Sequence, residues 1–258
     1  MSLTDEAISR IRELVQSGRF PAGSKLPAEH ELAAELGVSR SPVREAVKAL
    51  AVARVLDVRR GDGTYVTSLA PSLLLAGLGS AVEMMGTGTL LELTEIRRLL
   101  EPAATALAAT RITDLQLTEV GRHLEAMRAA ADDVELLIRH DAAFHASVSA
   151  ATGNEALTAL LDGISSHTLR ARAWRATVDR GAVDRTLEQH TAIYTALADR
   201  DATVAMAAAL VHVHTSERWL RAQLAAEAEP PSAGLPPAET PPTEMPMAHP
   251  TDAPAGPR

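Results

Sequence analysis

The sequence predicts a mainly α protein, with a winged helix-turn-helix at the N-terminus and an all-α bundle of about seven helices behind it. Three observations carry that expectation. Between Gly18 and Thr67 an apolar-periodic segment meets a glycine turn, a charged second helix and an alternating hairpin. Beyond the hairpin the apolar period is helical throughout. Aromatic residues make up only 2% of the chain, so alanine and leucine must fill the core, as they do where helices pack closely.

Each element follows from its residues. The chain leads from Met1–Thr4 straight into a helix that sets Ile8, Ile11, Leu14 and Val15 on one face. A second periodic helix, Glu29 to Leu36, ends at Gly37. Ser39 is suited to cap the third helix, and Pro42 falls in its first turn, where a missing N–H does no harm. That helix carries Arg40, Ser41, Arg44 and Lys48 along one side. An arginine there can bridge guanine O6 and N7, whereas the serine hydroxyls suit phosphates. Val55 to Arg59 and Thr64 to Thr67 alternate around Gly61-Asp62-Gly63, a hairpin that holds Arg59 and Arg60 where a wing would touch phosphate or minor groove.

Helices are expected over 72–85, 90–109, 114–130, 133–151, 154–176, 183–198 and 201–226, with Pro102 kinking or restarting the second. The composition then shifts. The stretch after Glu229 holds 10 of the 15 prolines and almost no apolar periodicity, which predicts a disordered, extended tail. The expected organisation is residues 1–69 for the winged unit, 70–227 for the bundle and 228–258 for the tail.

The net charge of −8 is unevenly spread: residues 1–68 carry 10 Lys+Arg against 9 Asp+Glu, a balance of +1, which leaves −9 for the remainder. A few local arginines are enough to dock on phosphates, so acidity of the whole chain does not exclude nucleic acid. Cysteine is absent, which excludes a disulfide scaffold, a cysteine-ligated zinc finger and a cysteine nucleophile. No charged-then-apolar leader and no membrane-length apolar run are present, so a soluble, cytoplasmic protein without a membrane partner is expected.

A second constellation lies in the bundle. Asp141 and His145 are one turn apart and stack on one helix face, and His190 and His212 come from two later helices amid apolar residues. One carboxylate and three imidazoles form a ligand set for a divalent metal ion, Zn²⁺ first, with Ni²⁺ or Mn²⁺ as alternatives. His214 stands about 200° round the helix from His212 and cannot face the same point. The alternative for such spacing is a surface pair or hydrogen-bonded core histidines. His123, His140 and His167 lack matching spacing and are expected at the surface.

From Gly18 to Leu50, GRFPAGSKLPAEHELAAELGVSRSPVREAVKAL resembles the DNA-binding domain of the GntR family of bacterial transcription regulators. Downstream, Glu95–Glu101 (E-x-R-x-x-L-E), Asp141–His145 (D-x-x-F-H), Gly153-Asn154, Glu188–His190 (E-x-H) and a final histidine resemble the FCD effector domain of its FadR subfamily, so the likeness covers residues 5–226. The resemblance implies that Ser39, Arg40, Ser41 and Arg44 contact DNA and that Arg60 and Gly61 are wing contacts. Two positions depart from the pattern: His30 stands where many relatives carry a DNA-reaching arginine, and Ala28 replaces a serine N-cap. The resemblance also implies metal binding by Asp141, His145, His190 and His212. Arg97 has two open roles, clamping an effector carboxylate or pairing with Glu101. The implied partners are a two-fold symmetric double-stranded operator, a second copy of the chain and a small organic carboxylate. No general base or nucleophile is independently placed, so no enzyme activity is expected. A metal-dependent hydrolase and an architectural DNA-binding protein with a structural bundle are the competing classes.

Overall fold

The computed structural model describes residues 2–75, 77, 89–179 and 181–228. The first unit comprises α1 (Leu3–Gln16), α2 (Glu29–Leu36), α3 (Arg40–Val52), β1 (Leu56–Arg59) and β2 (Gly63–Val66). Helix α1 is started by a reciprocal cap. The Ser2 hydroxyl accepts the Asp5 N–H at 3.1 Å and the Asp5 carboxylate accepts the Ser2 N–H at 2.9 Å. Its apolar stripe buries Ala7, Ile11 and Val15 against Leu32, Val43, Val47 and Leu50 of the next two helices. Gly37 ends α2 with φ +66°, a left-handed conformation that a side chain would strain, and the Arg10 guanidinium donates to the Leu36 carbonyl at the same helix end.

The two strands pair antiparallel, with Leu56 opposite Val66 and Arg59 opposite Gly63. Lys25 adds an isolated bridge to Tyr65, and its side chain donates to Asp62 at 3.2 Å across the wing tip. At Gly63 a Cβ would lie 2.5 Å from Lys25 Cε, so a side chain there would push the lysine from its present place over the wing.

The bundle follows: α4 (Pro71–Leu74), α5 (Thr89–Arg111), α6 (Asp114–Ala129), α7 (Val134–Ala150), α8 (Glu155–Val178), α9 (Ala182–Ala198) and α10 (Ala202–Ala228). Side chains cap three of them. Thr113 and Gln116 form a capping box on α6, Asp133 accepts the Leu136 N–H at 3.0 Å, and Asn154 accepts the Leu157 N–H at 3.1 Å. Ala108, Leu124, Met127, Phe144, Ile193 and Leu197 lie in one core cluster separate from that of the winged unit. The first long helix, α5, packs most extensively on the last, α10, and the short α4 touches α8.

Six helices match their expected positions, one of the two outcomes expected at Pro102 does not occur, and one surface expectation needs correction. The chain does not restart at Pro102: α5 runs through it, with the ring buried among helix neighbours. A proline removes one N–H donor, a loss that packing can absorb within a 23-residue helix. His123 is not a surface residue. It is only 9% exposed, because its helix face also carries Val120, Leu124 and Met127, and its Nδ1 lies 3.2 Å from Nδ1 of half-buried His140. The expected helix over 72–85 begins as α4, but most of it lies outside the described residues, as does the tail after Ala228. Among the described residues no helix is long and apolar enough to cross a membrane.

Candidate functional site: a buried histidine cluster and an exposed basic helix

Asp141 and His145 come from α7, His190 from α9 and His212 from α10, and the fold brings all four together. One ring nitrogen from each histidine lies within 4.8 Å of the other two. His190 is fully buried, His212 is 3% exposed and Asp141 is 2% exposed, while the His145 side chain keeps 12% of its surface accessible. His214 points to solvent, as the helical period requires.

The hydrogen bonds settle which nitrogens are free. His190 Nδ1 lies 2.7 Å from the Thr186 carbonyl, which can only accept, so Nδ1 carries the proton. His212 Nδ1 donates to Gln189 Oε1 at 3.1 Å, and the Gln189 amide nitrogen donates in turn to Thr215 Oγ1 at 3.1 Å. The Nε2 atoms of His145, His190 and His212 are all buried without a hydrogen-bond partner. Three unanswered imidazole nitrogens in one pocket are costly unless an ion or proton joins them. His190 Nε2 also faces Asp141 Oδ1 at 3.1 Å, and His145 Nε2 stands 3.8 Å from the same oxygen. Ligand atoms bound about 2.1 Å from one ion lie about 3.0–3.4 Å apart, so the donor types suit a divalent metal, and the His190–Asp141 pair already has that spacing while the other donors would have to draw together.

Electrostatics supports that state. Burial pushes the His145 and His212 imidazoles well below their ordinary value, which leaves them neutral and able to donate a lone pair. Burial alone would raise the Asp141 carboxyl, but the Arg172 guanidinium outweighs it and holds the group ionised. Arg172 donates to the Asp141 oxygen and, at 3.1 Å, to Thr168 Oγ1. Glu101 lies behind His145, with Oε2 3.8 Å from Nδ1.

Of the two roles open to Arg97, the pairing with Glu101 is formed here. Its fork closes on both carboxylate oxygens, a third donor reaches Thr168 Oγ1 at 3.3 Å, and the side chain is 1% exposed. The sequence reading missed Arg172 and Arg175, which line the cavity beside the cluster. The one signal is in RARAWR, where three-residue spacing puts both on one face of the helix.

The residues expected at DNA occupy the opposite setting. Ser39 sits at the N-cap of α3 with extended backbone but makes no capping hydrogen bond, so its hydroxyl is free for another partner. Arg40, Ser41 and Arg44 are exposed along α3, His30 is exposed in the first turn of α2, and Arg60 and Gly61 are exposed at the wing tip. Arg44 Nε is held by Glu29 at 3.0 Å, whereas Arg40 and Arg60 have no ion pair among the described residues. Arg59 is engaged locally, 3.0 Å from Asp57 and stacked 4.1 Å over the Tyr65 ring. Ala28 supplies no side-chain cap to α2, but Glu31 accepts its N–H at 3.0 Å, which retains half of a capping box.

Comparison with known proteins agrees with both halves. The model for bacterial regulatory proteins of the gntR family matches residues 3–66, and that of the FCD domain matches residues 92–215. The HTH-type transcriptional regulator LutR of Bacillus subtilis (strain 168) is 32% identical over 209 residues, covering 79% of this chain and 94% of the relative. The galactonate operon transcriptional repressor of Escherichia coli (strain K12) is 28% identical over 86% of this chain and 98% of its own length. Among solved structures, Streptococcus agalactiae GntR is similar with a TM-score of 0.63 and 30% identity, over 84% of this chain and 99% of that one. The chain therefore belongs to the GntR family of bacterial regulatory proteins, as a DNA-binding transcription regulator whose winged helix is joined to an FCD domain.

Proposed function

We propose that this regulator binds a two-fold operator as a homodimer and that a small organic carboxylate, held at a divalent metal in the bundle, sets its operator affinity. The observation that carries the metal is the convergence of His145, His190 and His212, each offering a ring nitrogen within 4.8 Å of the others and each with an Nε2 buried without a partner, two of these left as lone pairs by Nδ1 donation on the far side of the ring. Asp141, His145, His190 and His212 would hold the ion. Four protein ligands leave a five- or six-coordinate metal able to take a carboxylate oxygen in place of water. Zn²⁺ suits three imidazoles and one carboxylate, and Ni²⁺ and Mn²⁺ are the alternatives. The galactonate repressor is named for a sugar acid, which is the class of ligand proposed here.

On DNA, the α3 N-terminus enters the major groove with Arg40 and Arg44 at base edges, Ser39 and Ser41 at phosphates, His30 beside them, and Arg60 and Gly61 of the wing on the flanking backbone. Arg44 exchanges Glu29 for its DNA partner. A single short recognition helix gives little affinity, so two copies read two half-sites. Leu99 is 61% exposed on α5, and Leu210 and Val211 are 43% and 56% exposed on α10, apolar side chains of the kind a second copy would cover.

Elemental analysis of untagged protein purified without chelator tests the metal. About one equivalent is expected in the wild type and none in His190→Ala. Background metal in both, with no thermal shift on adding Zn²⁺, Ni²⁺ or Mn²⁺, overturns the proposal.

A further inference from the structure

Two arginines outside the ligand set, Arg172 and Arg175, share a small cavity with Asp141, Thr186, His212 and Ser216. Both are deeply placed, with side chains 9% and 8% exposed. Each has an Nε buried without a hydrogen-bond partner. The nearest acid to Arg175 Nε is Asp179 at 3.6 Å, beyond hydrogen-bond reach, and Asp179 is already paired with Arg185. Arg175 otherwise donates to Ser216 Oγ at 3.0 Å, a neutral partner for a buried cation. Arg97 is the contrasting case: its fork is closed on Glu101, and it does not line the cavity.

Charge balance points the same way. The guanidinium groups of Arg97 and Arg172 are matched by the carboxylates of Glu101 and Asp141, whereas Arg175 has only Asp179, which it shares with Arg185. A divalent ion on neutral imidazoles then adds two positive charges without a counterpart among deeply placed side chains, and unbalanced charge there is expensive. A monocarboxylate supplies one negative charge. It also leaves the Arg175 Nε unanswered.

We infer that the ligand is a dianion, a short dicarboxylate that places one carboxylate at the metal and the other on the Arg175 guanidinium, with Arg172 beside it. The inference rests on the metal-bound carboxylate proposed above and adds the residue that selects for the second charge. An arginine fork matches a carboxylate with two parallel hydrogen bonds, so Arg175 would discriminate by charge and shape together.

The test is calorimetric titration of the Zn²⁺-loaded full chain with malonate and with propionate, which have equal chain length and differ by one carboxylate. Malonate should bind about tenfold or more tighter than propionate. Arg175→Gln should bring malonate down to the level of propionate while leaving propionate affinity and Zn²⁺ affinity, measured by chelator competition, unchanged. Arg175→Lys, which keeps the charge but loses the fork, should keep part of the preference and guards against a folding defect in the glutamine variant. Equal binding of the two acids, or a preference that survives Arg175→Gln, overturns the dianion inference and leaves the metal-bound carboxylate standing. Failure of both acids to bind the loaded wild type counts against both.

Discussion

On the recognition helix Arg40 and Arg44 stand in solvent, the first unpaired among the described residues and the second tied loosely to Glu29, whereas in the bundle Arg97, Arg172 and Arg175 are buried beside a carboxylate. The difference follows from what each surface meets. A phosphate backbone carries its own charge and counterions to the protein, so exposed arginines need no internal partner, and their contribution appears only on binding. A buried site has no such supply. Every charge inside must be answered by the fold or by a ligand, and the three free imidazole nitrogens mark where the fold leaves an answer open.

The largest test of this contrast is Arg97→Ala. Removing one partner of a buried pair should cost about 3–5 kcal/mol of stability, because Glu101 would stay behind uncompensated. The pH dependence should also change sign. In the wild type, burial raises the Glu101 carboxyl but Arg97 outweighs it and lowers the group below 4.5, so its stabilisation is present above that value and is lost as pH falls below it. In Arg97→Ala burial is opposed only by the weaker pull of Arg172 and His212 and the folded value rises, so the variant should lose further stability as pH climbs through 4.5 and regain some in acid. Denaturant melts from pH 3 to 7 check both, and a variant with wild-type stability and slope would remove the buried pair from the account.

Arg40→Ala should behave in the opposite way. Stability should hold within about 0.5 kcal/mol, as for exposed sites without special contacts. Operator affinity should fall by about 1–3 kcal/mol, with relaxed preference at one base pair if the arginine reads guanine. If the loss is instead uniform across sequences with a shallower salt slope, Arg40 is a phosphate contact. A loss of folding without a change in DNA binding would undo the comparison. Smallest of all is Ala28→Ser, which restores the missing acceptor at the start of α2 and should add about 0.5–1 kcal/mol, read as a raised melting temperature with unchanged operator affinity.

The two regions also differ in how legible they are in sequence. The winged unit is contiguous: its cap, glycine turn, proline and hairpin lie within fifty residues, so local rules place α2, α3, β1 and β2 to within a residue or two. The convergence of Asp141, His145, His190 and His212 was legible because each sits on a helix whose period is plain and the residue types are chemically distinctive. Tautomers were not, since His190 is fixed by the carbonyl of Thr186 and His212 by an amide on a different helix. The role of Arg97 stayed open because spacing to Glu101 allows a pair without requiring it, and only the packing of α8 with Thr168 closes the fork. Arg172 and Arg175 escaped because an Arg-rich run on a helix reads as a solvated face until the neighbouring helices are in place. His123 escaped for the same reason, since a polar residue among Val120, Leu124 and Met127 is buried by the company of its helix face.

The most direct measurement is operator affinity by fluorescence anisotropy at fixed salt, titrated with a carboxylate that binds the protein, in metal-loaded protein, chelator-treated protein and His190→Ala. If the bundle controls the winged helices through a metal-held carboxylate, the acid should change operator affinity only in the loaded wild type. The operator should in turn change affinity for the acid by the same factor. An equal response in all three proteins would contradict the account, because coordination at the histidine cluster would then play no part in what this regulator senses.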